Sequence, residues 1–349
     1  MQRIYSDVIQ FRGNHYELGK KQGEQLKDSY ILDNRKKQWK IRRPRFAIDV
    51  REAKAVFSSF APQMWDEFLG LQDALQWPMQ QVLKEFGGYR LDTHPSGCSV
   101  LTYENYFVRN YDYHPKTYEG RLVFFQPDRG YATIGPSQRI TGRSDGMNEK
   151  GLVVAYNFMH RKNPGDGFVC NMICRIVLES CATVTEAIDM LQRIPHRHSF
   201  SYIVMDPFAE SFVVEATPRG VEVRKAHVCT NHFEKLTDEN RNYLKDSYER
   251  LQVMRDHIHD GVDAKEAFRL LNDSDQGVFS KQYKNWAGTI HTAVYFSHSK
   301  NVWFALGGDS EPATIDFAAW LRGKDLSLTR IFGKVDTQLP FVHMEENVR

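Results

Sequence analysis

The pattern of apolar residues changes near residue 97, and this change limits what the chain can fold into. Before it, apolar residues recur at steps of three and four, as in residues 51–71, which is typical of amphipathic helices. After it, short apolar runs alternate with turn residues, which is typical of strands. Residues 93–97 contain the proline and glycine that separate the two patterns. Residues 1–97 are therefore predicted to be mainly helical.

The strand-rich part begins with a hairpin, in which residues 98–103 and 106–111 flank the turn Glu104-Asn105. Further strands and helices follow in groups. The sequence predicts strands at 122–126, 139–142, 151–157, 201–206, 211–217, 221–225, 227–230, 291–296 and 302–306, and helices at 169–180, 184–193, 242–257 and 264–271. Such grouping favours an α+β fold with antiparallel sheets over a regularly alternating parallel sheet. Hairpins between helices also suit a four-layer αββα sandwich.

Composition argues against several classes of protein. The chain has 349 residues, of which 26% are charged, but its formal net charge is only +2, so no basic surface for nucleic acid is indicated. No stretch reaches the roughly 18 apolar residues of a membrane helix, and residues 1–19 lack the apolar core of a secretory signal. No phosphate loop or dinucleotide fingerprint occurs. We therefore expect no nucleic-acid partner, no membrane partner and no cofactor.

The cysteines indicate the compartment. There are five of them, an odd number in a long chain, which argues against a disulfide framework and for a cytoplasmic location. Cys170 and Cys174 have a spacing that would suit a metal pair, but they lie in an apolar helical run without a further ligand nearby. Packing in the core is the better interpretation, and no metal site is expected.

Cys98 follows Gly97 at the first residue of a predicted strand. A cysteine released as a new N-terminus carries its own general base, because an α-amine with a pKa of about 7.7–8.0 can take the thiol proton at neutral pH. A cut between Gly97 and Cys98 would create this N-terminus. On its own, the Gly97-Cys98 dipeptide favours a buried structural cysteine. Whether Cys98 is instead a nucleophile has to be judged from the neighbouring residues.

The return strand of the hairpin carries the sequence Arg109-Asn110-Tyr111-Asp112-Tyr113. Pairing across the turn brings Arg109 and Asp112 back towards Cys98. A guanidinium near a thiol favours the thiolate, and a carboxylate can hold the α-amine. A surface ion pair is the ordinary alternative for the two charged residues.

Five blocks, in order along the chain, resemble the choloylglycine hydrolase group, also called linear amide C–N hydrolases. They are 13–19 with 22–23, Cys98 with 109–113, 146–158, 230–233 and 247–250. The first block is similar to the pro-segment of the isopenicillin N (acyl-CoA:6-aminopenicillanic acid) acyltransferase branch, which consists of cysteine N-terminal-nucleophile (Ntn) hydrolases. The resemblance spans about residues 11–310. It implies the four-layer αββα fold of that type.

Roles follow from the resemblance position by position. Cys98 matches the nucleophile whose α-amine is the base. Arg109 and Asp112 match the residues that orient and polarise that amine and thiol.

Three later residues also match. Asn157 and Asn231 match amide donors to the oxyanion, and such a donor can lower the barrier by about 2.7–4 kcal/mol. Arg250 matches an arginine that tunes the electrostatics of the site, on a shorter match. As ordinary alternatives, Asn157 would make a turn, Asn231 would cap the next segment and Arg250 would lie on a solvated helix face.

Other candidates are weaker. The run His196-Arg197-His198 resembles a loop more than a metal site, and His291 begins a predicted strand without an acidic neighbour. A papain-like enzyme would need a histidine near Cys98, an option that the sequence leaves open.

The sequence thus predicts a helical pro-segment, 1–97, and a catalytic Ntn domain, 98–349. The expected activity is hydrolysis of a linear N-acyl amide through a thioester acyl-enzyme, after self-cleavage at Gly97–Cys98. Acyl transfer to an amine and a non-catalytic binding relative are the alternatives. The expected partner is a small N-acyl amide or acyl donor whose identity the sequence leaves open, and a homo-oligomer is a further option.

Overall fold

A computed structural model of the chain describes residues 1–41, 48–91, 96–159, 163–208, 211–240, 244–258 and 261–344. Its helices are α1 (His15–Leu26), α2 (Tyr30–Ile41), α3 (Val50–Phe60), α4 (Met64–Leu75), α5 (Met79–Phe86), α6 (Cys170–Ser180), α7 (Val184–Arg193), α8 (Lys245–His257), α9 (Ala264–Asn272) and α10 (Phe317–Leu321). Its strands are β1 (Gln2–Gly13), β2 (Gly97–Tyr103), β3 (Tyr106–Tyr113), β4 (Arg121–Pro127), β5 (Thr133–Gln138), β6 (Gly142–Arg143), β7 (Asp145–Asn148), β8 (Val153–Phe158), β9 (Phe200–Met205), β10 (Phe212–Thr217), β11 (Gly220–Lys225), β12 (Val228–Cys229), β13 (Lys281–Gln282), β14 (Ala287–Phe296), β15 (Asn301–Leu306), β16 (Ala313–Asp316) and β17 (Arg330–Val335). Most of the predicted break at 93–97 and the predicted helix start at 242 lie outside the described residues.

The strands form two main sheets. The larger sheet has the order β11-β10-β9-β8-β7-β5-β4-β1-β17, with β6 beside β5. The smaller sheet has the order β12-β2-β3-β14-β15-β16, with β13 beside β14. The pairs are antiparallel except that of β1 with β4, which is parallel. The prediction of an α+β fold with antiparallel sheets is confirmed.

Alternation of side chains along the strands produces four layers. In β8, Val153 and Ala155 lie in the core between the two sheets, whereas Val154 packs against helices α3–α7. In β3, Phe107 lies in the same inter-sheet core, whereas Val108 packs against α8 and α9. The order is therefore helices, sheet, sheet, helices, and the predicted αββα sandwich is confirmed.

The first 97 residues contain a strand that the helical prediction missed. Strand β1 lies between β4 and β17 in the larger sheet. Its side chains alternate, because Ile4 packs in the inter-sheet core whereas Ile9 and Phe11 pack on a small cluster with Leu18 of α1. The side chains alternate with the two-residue period of a strand, but the adjacent apolar residues Ile4-Tyr5 and Val8-Ile9 interrupt this pattern in the sequence.

The apolar stripe predicted over residues 51–71 belongs to two helices, α3 and α4, and not to one. Pro62 lies between them. The backbone of Ala61 is extended, with φ −157° and ψ 67°, because a residue that precedes proline is disfavoured in the helical region. Asp49 caps α3 by accepting hydrogen bonds from two backbone N–H groups of its first turn.

Cys170 and Cys174 are buried in α6, within the core between the helices and the larger sheet, as predicted. Among the described residues, no helix is long and apolar enough to cross a membrane.

Candidate active site

Cys98 lies near the start of β2 in the smaller sheet and is completely buried. The predicted hairpin is confirmed, with Cys98 opposite Tyr111, Gly97 opposite Asp112 and Val100 opposite Arg109. Directly opposite residues project from the same face of a sheet. Cys98 and Arg109 therefore project into the inter-sheet core, whereas Asp112 projects towards α8.

Arg109 contacts the thiol directly. Its Nη2 donates to Cys98 Sγ at 3.3 Å and to the carbonyl oxygen of Tyr156 at 2.8 Å, and its Nη1 donates to the carbonyl oxygen of Ser144. The two carbonyl groups belong to the larger sheet and to the segment before β7. The position of the guanidinium beside the sulfur is therefore fixed from the opposite sheet.

Two opposing effects act on the thiol. Burial raises the pKa of Cys98, and the positive charge of Arg109 opposes this shift. In the uncut chain the residue has no α-amine, so the thiol at neutral pH is protonated. The site therefore holds a thiol that a neighbouring base would have to activate.

Asp112 is a buried carboxyl group on the other face of the sheet. Its Oδ1 accepts a hydrogen bond from Thr289 Oγ1 at 2.7 Å. Its Oδ2 has no hydrogen-bond partner among the described residues, and a Cβ atom built on Gly97 would lie 3.4 Å from it. Burial raises the pKa of Asp112 to about 7, although Arg250 and the Thr289 hydroxyl oppose the shift. A carboxyl group able to exchange a proton near neutrality thus lies beside the predicted cut.

Asn231 follows β12, which pairs with β2, and this pairing places its side chain at the predicted cut. Asn231 Oδ1 accepts the backbone N–H of Cys98 at 2.9 Å. Its Nδ2 donates to the carbonyl oxygens of Phe158 at 2.8 Å and Ser96 at 3.4 Å. Asn231 therefore binds the backbone on both sides of the Gly97–Cys98 bond.

Arg250 reaches the same place from α8. It is buried, and its Nη1 donates to the carbonyl oxygen of Cys98 at 2.9 Å and to Ser99 Oγ at 2.7 Å. Its Nη2 donates to Asn231 Oδ1 at 3.0 Å, and its Nε donates to Asp246 Oδ2 at 2.9 Å. The alternative of a solvated helix-face residue is therefore wrong, because Arg250 is buried and binds both Cys98 and Asn231.

Asn157 binds the segment that carries Asn231. Its Nδ2 donates to the carbonyl oxygens of Cys229 at 3.0 Å and Thr230 at 3.1 Å, just before Asn231. Its Oδ1 has no partner among the described residues. In the uncut chain Asn157 thus holds the segment that carries Asn231, and among the described residues its side chain makes no hydrogen bond to Cys98.

Sequence reasoning missed one group of residues behind Arg109. The statement that His291 lacks an acidic neighbour holds along the sequence but is wrong in the fold, because His291 Nε2 lies 3.4 Å from Asp145 Oδ1. His291 also lies within β14 and not at its start. Asp145 is buried and 3.3 Å from Arg109 Nη1. The position of Asp145 directly before the block 146–158 was the available signal, whereas Thr289, which binds Asp112, had none.

Among the described residues, the hydrogen-bond partners of Cys98 Sγ do not include a histidine. No three His, Cys, Asp or Glu side chains of the described part are grouped so that they could hold a metal ion.

The α+β architecture with four layers is the one that the resemblance implied. Residues 101–311 match the model of the family described as acyl-coenzyme A:6-aminopenicillanic acid acyl-transferase. This match covers more than half of the chain, and the chain belongs to that family. The predicted enzyme class, a C–N hydrolase or acyltransferase, is confirmed. Cys98 and Gly97 precede the matched region, whereas the other five predicted site residues lie within it.

Solved structures of three enzymes show a more distant similarity. A mutant form of conjugated bile acid hydrolase from Clostridium perfringens is 17% identical, with 64% of this chain and 93% of that chain covered and a TM-score of 0.46. Penicillin V acylase from Agrobacterium tumefaciens is 16% identical, with 64% and 86% covered and a TM-score of 0.42. The N-acylethanolamine-hydrolyzing acid amidase ortholog of Caenorhabditis elegans is 16% identical, with 58% and 92% covered and a TM-score of 0.41. Similarity at this level assigns no residue a role. No curated protein matches the chain significantly.

Proposed function

We propose that the protein cuts itself between Gly97 and Cys98 and then acts as an N-terminal-cysteine amidase on linear N-acyl amides. One observation carries the proposal. The two reactive atoms of Cys98 have separate partners, since its sulfur is held by Arg109 at 3.3 Å and its backbone nitrogen by Asn231 at 2.9 Å. A structural cysteine needs no guanidinium at its sulfur, and the buried backbone N–H of such a residue is ordinarily paired with backbone and not with a side chain. A nucleophile whose nitrogen becomes the base needs both.

The self-cleavage follows from these contacts. Cys98 Sγ attacks the carbonyl carbon of Gly97, the C–N bond breaks, and the acyl group passes to sulfur as a thioester while the thiol proton goes to the nitrogen. Water then hydrolyses the thioester, which leaves a carboxylate on Gly97 and a free α-amine on Cys98. Asp112 Oδ2, beside Gly97, is the group placed to exchange the protons.

After the cut, the same residues act on a substrate amide. The new α-amine takes the thiol proton, and Asn231 and Asp112 hold this amine in place. The thiolate, stabilised by Arg109, attacks the amide carbonyl, and the amine product leaves with the proton. An acyl-enzyme thioester remains. We assign the oxyanion donors to Asn231 and Asn157, whose Nδ2 groups have to leave the carbonyl oxygens that they bind in the uncut chain.

Acyl transfer is the second candidate activity, and the family match favours it. The two activities share every step up to the thioester. They differ in whether water or an amine accepts the acyl group.

Residues 1–97 are proposed to remain bound after the cut as the small subunit. Strand β1 has hydrogen-bonded neighbours on both sides. His15 Nε2 lies 2.8 Å from Glu179 Oε2, and Glu67 is ion-paired with Arg175, all four side chains being buried. Release of the segment would break both pairs, take these partners away from the buried Glu179 and Arg175, and leave β17 without its neighbour.

The location and the partners are proposals as well. The five cysteines are buried and unpaired, which supports a reducing compartment such as the cytoplasm. A small N-acyl amide or acyl donor is the proposed partner, because the thiol lies within the protein core. Assembly into a homo-oligomer stays an option that light scattering can check.

The test uses the purified protein with a panel of N-acyl amides and a β-lactam as an acylating probe. We expect mass spectrometry to find the acyl group on Cys98, and Cys98→Ala to remain unlabelled and inactive. Release of product with water alone indicates hydrolysis, whereas product that forms only with an added amine indicates acyl transfer. A cut protein that turns over no amide and is not labelled at Cys98 would favour the non-catalytic binding relative.

A further inference from the structure

Behind Arg109, on the side away from Cys98, lies a buried carboxylate with several partners. Asp145 Oδ1 accepts a hydrogen bond from Ser144 Oγ at 2.7 Å and lies 3.3 Å from Arg109 Nη1. Its Oδ2 accepts a hydrogen bond from the hydroxyl group of Tyr295 at 2.6 Å. His291 Nε2 lies 3.4 Å from Oδ1. Asp145, Arg109, His291 and Tyr295 are at most 1% exposed.

This group links the two sheets. Asp145 begins β7 of the larger sheet, whereas Arg109, His291 and Tyr295 belong to β3 and β14 of the smaller one. The carboxylate therefore binds the smaller sheet from across the core at the level of the nucleophile. The ring of His291 is stacked on that of Tyr111, at 5.0 Å between centroids, and Tyr111 is the residue opposite Cys98.

A buried arginine needs a counter-charge, since removal of a charge from water is costly unless it is paired. Arg109 has one carboxylate at ion-pair distance among the described residues, and this is Asp145. Burial alone would lower the pKa of Arg109, but the neighbouring Cys98 and Asp145 outweigh this effect, and the pKa is raised. Burial would raise the pKa of Asp145, yet Arg109 and His291 keep it well below its usual range. The two groups therefore stay charged together.

We propose that Asp145 is a positioning residue that holds the Arg109 guanidinium so that Nη2 points at Cys98 Sγ, with the hydroxyl groups of Tyr295 and Ser144 fixing the carboxylate in turn. The inference rests on the proposed function and adds to it a residue that does not touch the thiol. Nη1 faces Asp145 and the Ser144 carbonyl, whereas Nη2 faces the sulfur and the Tyr156 carbonyl. Loss of the charge at Asp145 leaves the guanidinium without its counter-ion and free to turn away from Sγ.

The readout is the reactivity of the thiol and not turnover. Charged groups that face Cys98 are Arg109 and Asp112 from β3, and Arg250 from α8, which holds its carbonyl oxygen. The rate of Cys98 alkylation by iodoacetamide is measured against pH in the full chain, by mass spectrometry of the tryptic peptide that starts at residue 91 in the uncut chain and at 98 in the cut chain. The measurement works in either form, so it is independent of whether self-cleavage occurs.

Asp145→Asn is expected to move the pH midpoint of Cys98 alkylation upward by at least about one pH unit. At a fixed pH below the midpoint, the alkylation rate should therefore be about tenfold lower than in the parent. Arg109→Leu is expected to move it in the same direction. In the double variant the Asp145→Asn change should add nothing to the effect of Arg109→Leu, because Asp145 acts through Arg109. Asp145→Glu should restore part of the shift.

Two controls separate this role from damage to the fold. Asp206→Asn removes a different buried carboxylate, which caps α7, and should leave the Cys98 midpoint unchanged. Cys170 and Cys174, which are in another tryptic peptide, should stay unlabelled in Asp145→Asn if the core is intact. The proposal is overturned by an unchanged or lowered midpoint in Asp145→Asn, by an equal shift in the Arg109→Leu background, or by wild-type Cys98 that reacts no faster than Cys174.

Discussion

The carboxyl group of Asp112 makes the uncut chain sensitive to pH. Its pKa is raised by burial from 3.8 to about 7, so between these values the folded chain binds a proton that the unfolded chain has lost. Stability therefore falls as pH rises through this window. A shift of about three units corresponds to about 4 kcal/mol, of which roughly 3 kcal/mol falls between pH 5 and pH 8.

The perturbation is Asp112→Asn, made in a Cys98→Ala background so that the chain stays uncut. Asn keeps the shape and the acceptor oxygen for the Thr289 hydroxyl but cannot ionise. The free energy of unfolding is measured by urea denaturation at pH 5 and at pH 8. We expect the loss of stability between these pH values to be roughly 3 kcal/mol smaller in Asp112→Asn than in the parent.

The matched control is Asp256→Asn, which removes an exposed carboxylate on α8 that binds only Gln252 among the described residues. It should leave the pH dependence of the parent unchanged. Equal pH dependence in Asp112→Asn and in the parent would refute the reasoning, because Asp112 would then ionise in the folded chain as it does in the unfolded one. So would a parent that becomes more stable relative to Asp112→Asn as pH rises.

Two further substitutions give sharp expectations. Glu67→Ala leaves the buried Arg175 without one of its two carboxylates and should lower the free energy of unfolding by about 3–5 kcal/mol in urea titrations. The control Asp189→Ala breaks an exposed ion pair and should lower the free energy of unfolding by about 0.5 kcal/mol or less. Equal losses in the two variants would contradict the argument from burial. Arg250→Leu removes the hydrogen-bond donor to the Cys98 carbonyl oxygen. Loss of a charged hydrogen bond worth about 1.5–3 kcal/mol should slow the appearance of cut chain on gels by about 10- to 150-fold. An unchanged rate would show that Arg250 has no part in the reaction.

Much of the fold could be predicted from periodicity, because it depends on local patterns. The hairpin of β2 and β3 and helices α6 and α7 follow from runs of a single period. Strand β1 could not be found this way, because what makes it a strand is its pairing with β4 and β17. The division between α3 and α4 was readable in principle from Pro62, but the continuous apolar stripe concealed it.

The site residues that could be predicted from the sequence are those that lie on one hairpin and those that lie within the motif blocks. Arg109 and Asp112 lie close to Cys98 and Gly97 because of the turn between the strands, which sequence alone can indicate. Asp145 and Tyr295 are 150 residues apart and meet only because the two sheets face each other. No local pattern encodes such a contact, so the second set of residues had to come from the structure.

The central claim is that Cys98 becomes an N-terminus, and the mass of the denatured protein tests it most directly. We expect two fragments of 97 and 252 residues, which together make the 349 of the chain, and a single intact chain for Cys98→Ala. Cys174→Ala, which changes a buried core cysteine, should still be cut. An intact chain in protein that turns over an amide would contradict the claim, and a split Cys98→Ala chain would show that another protease makes the cut.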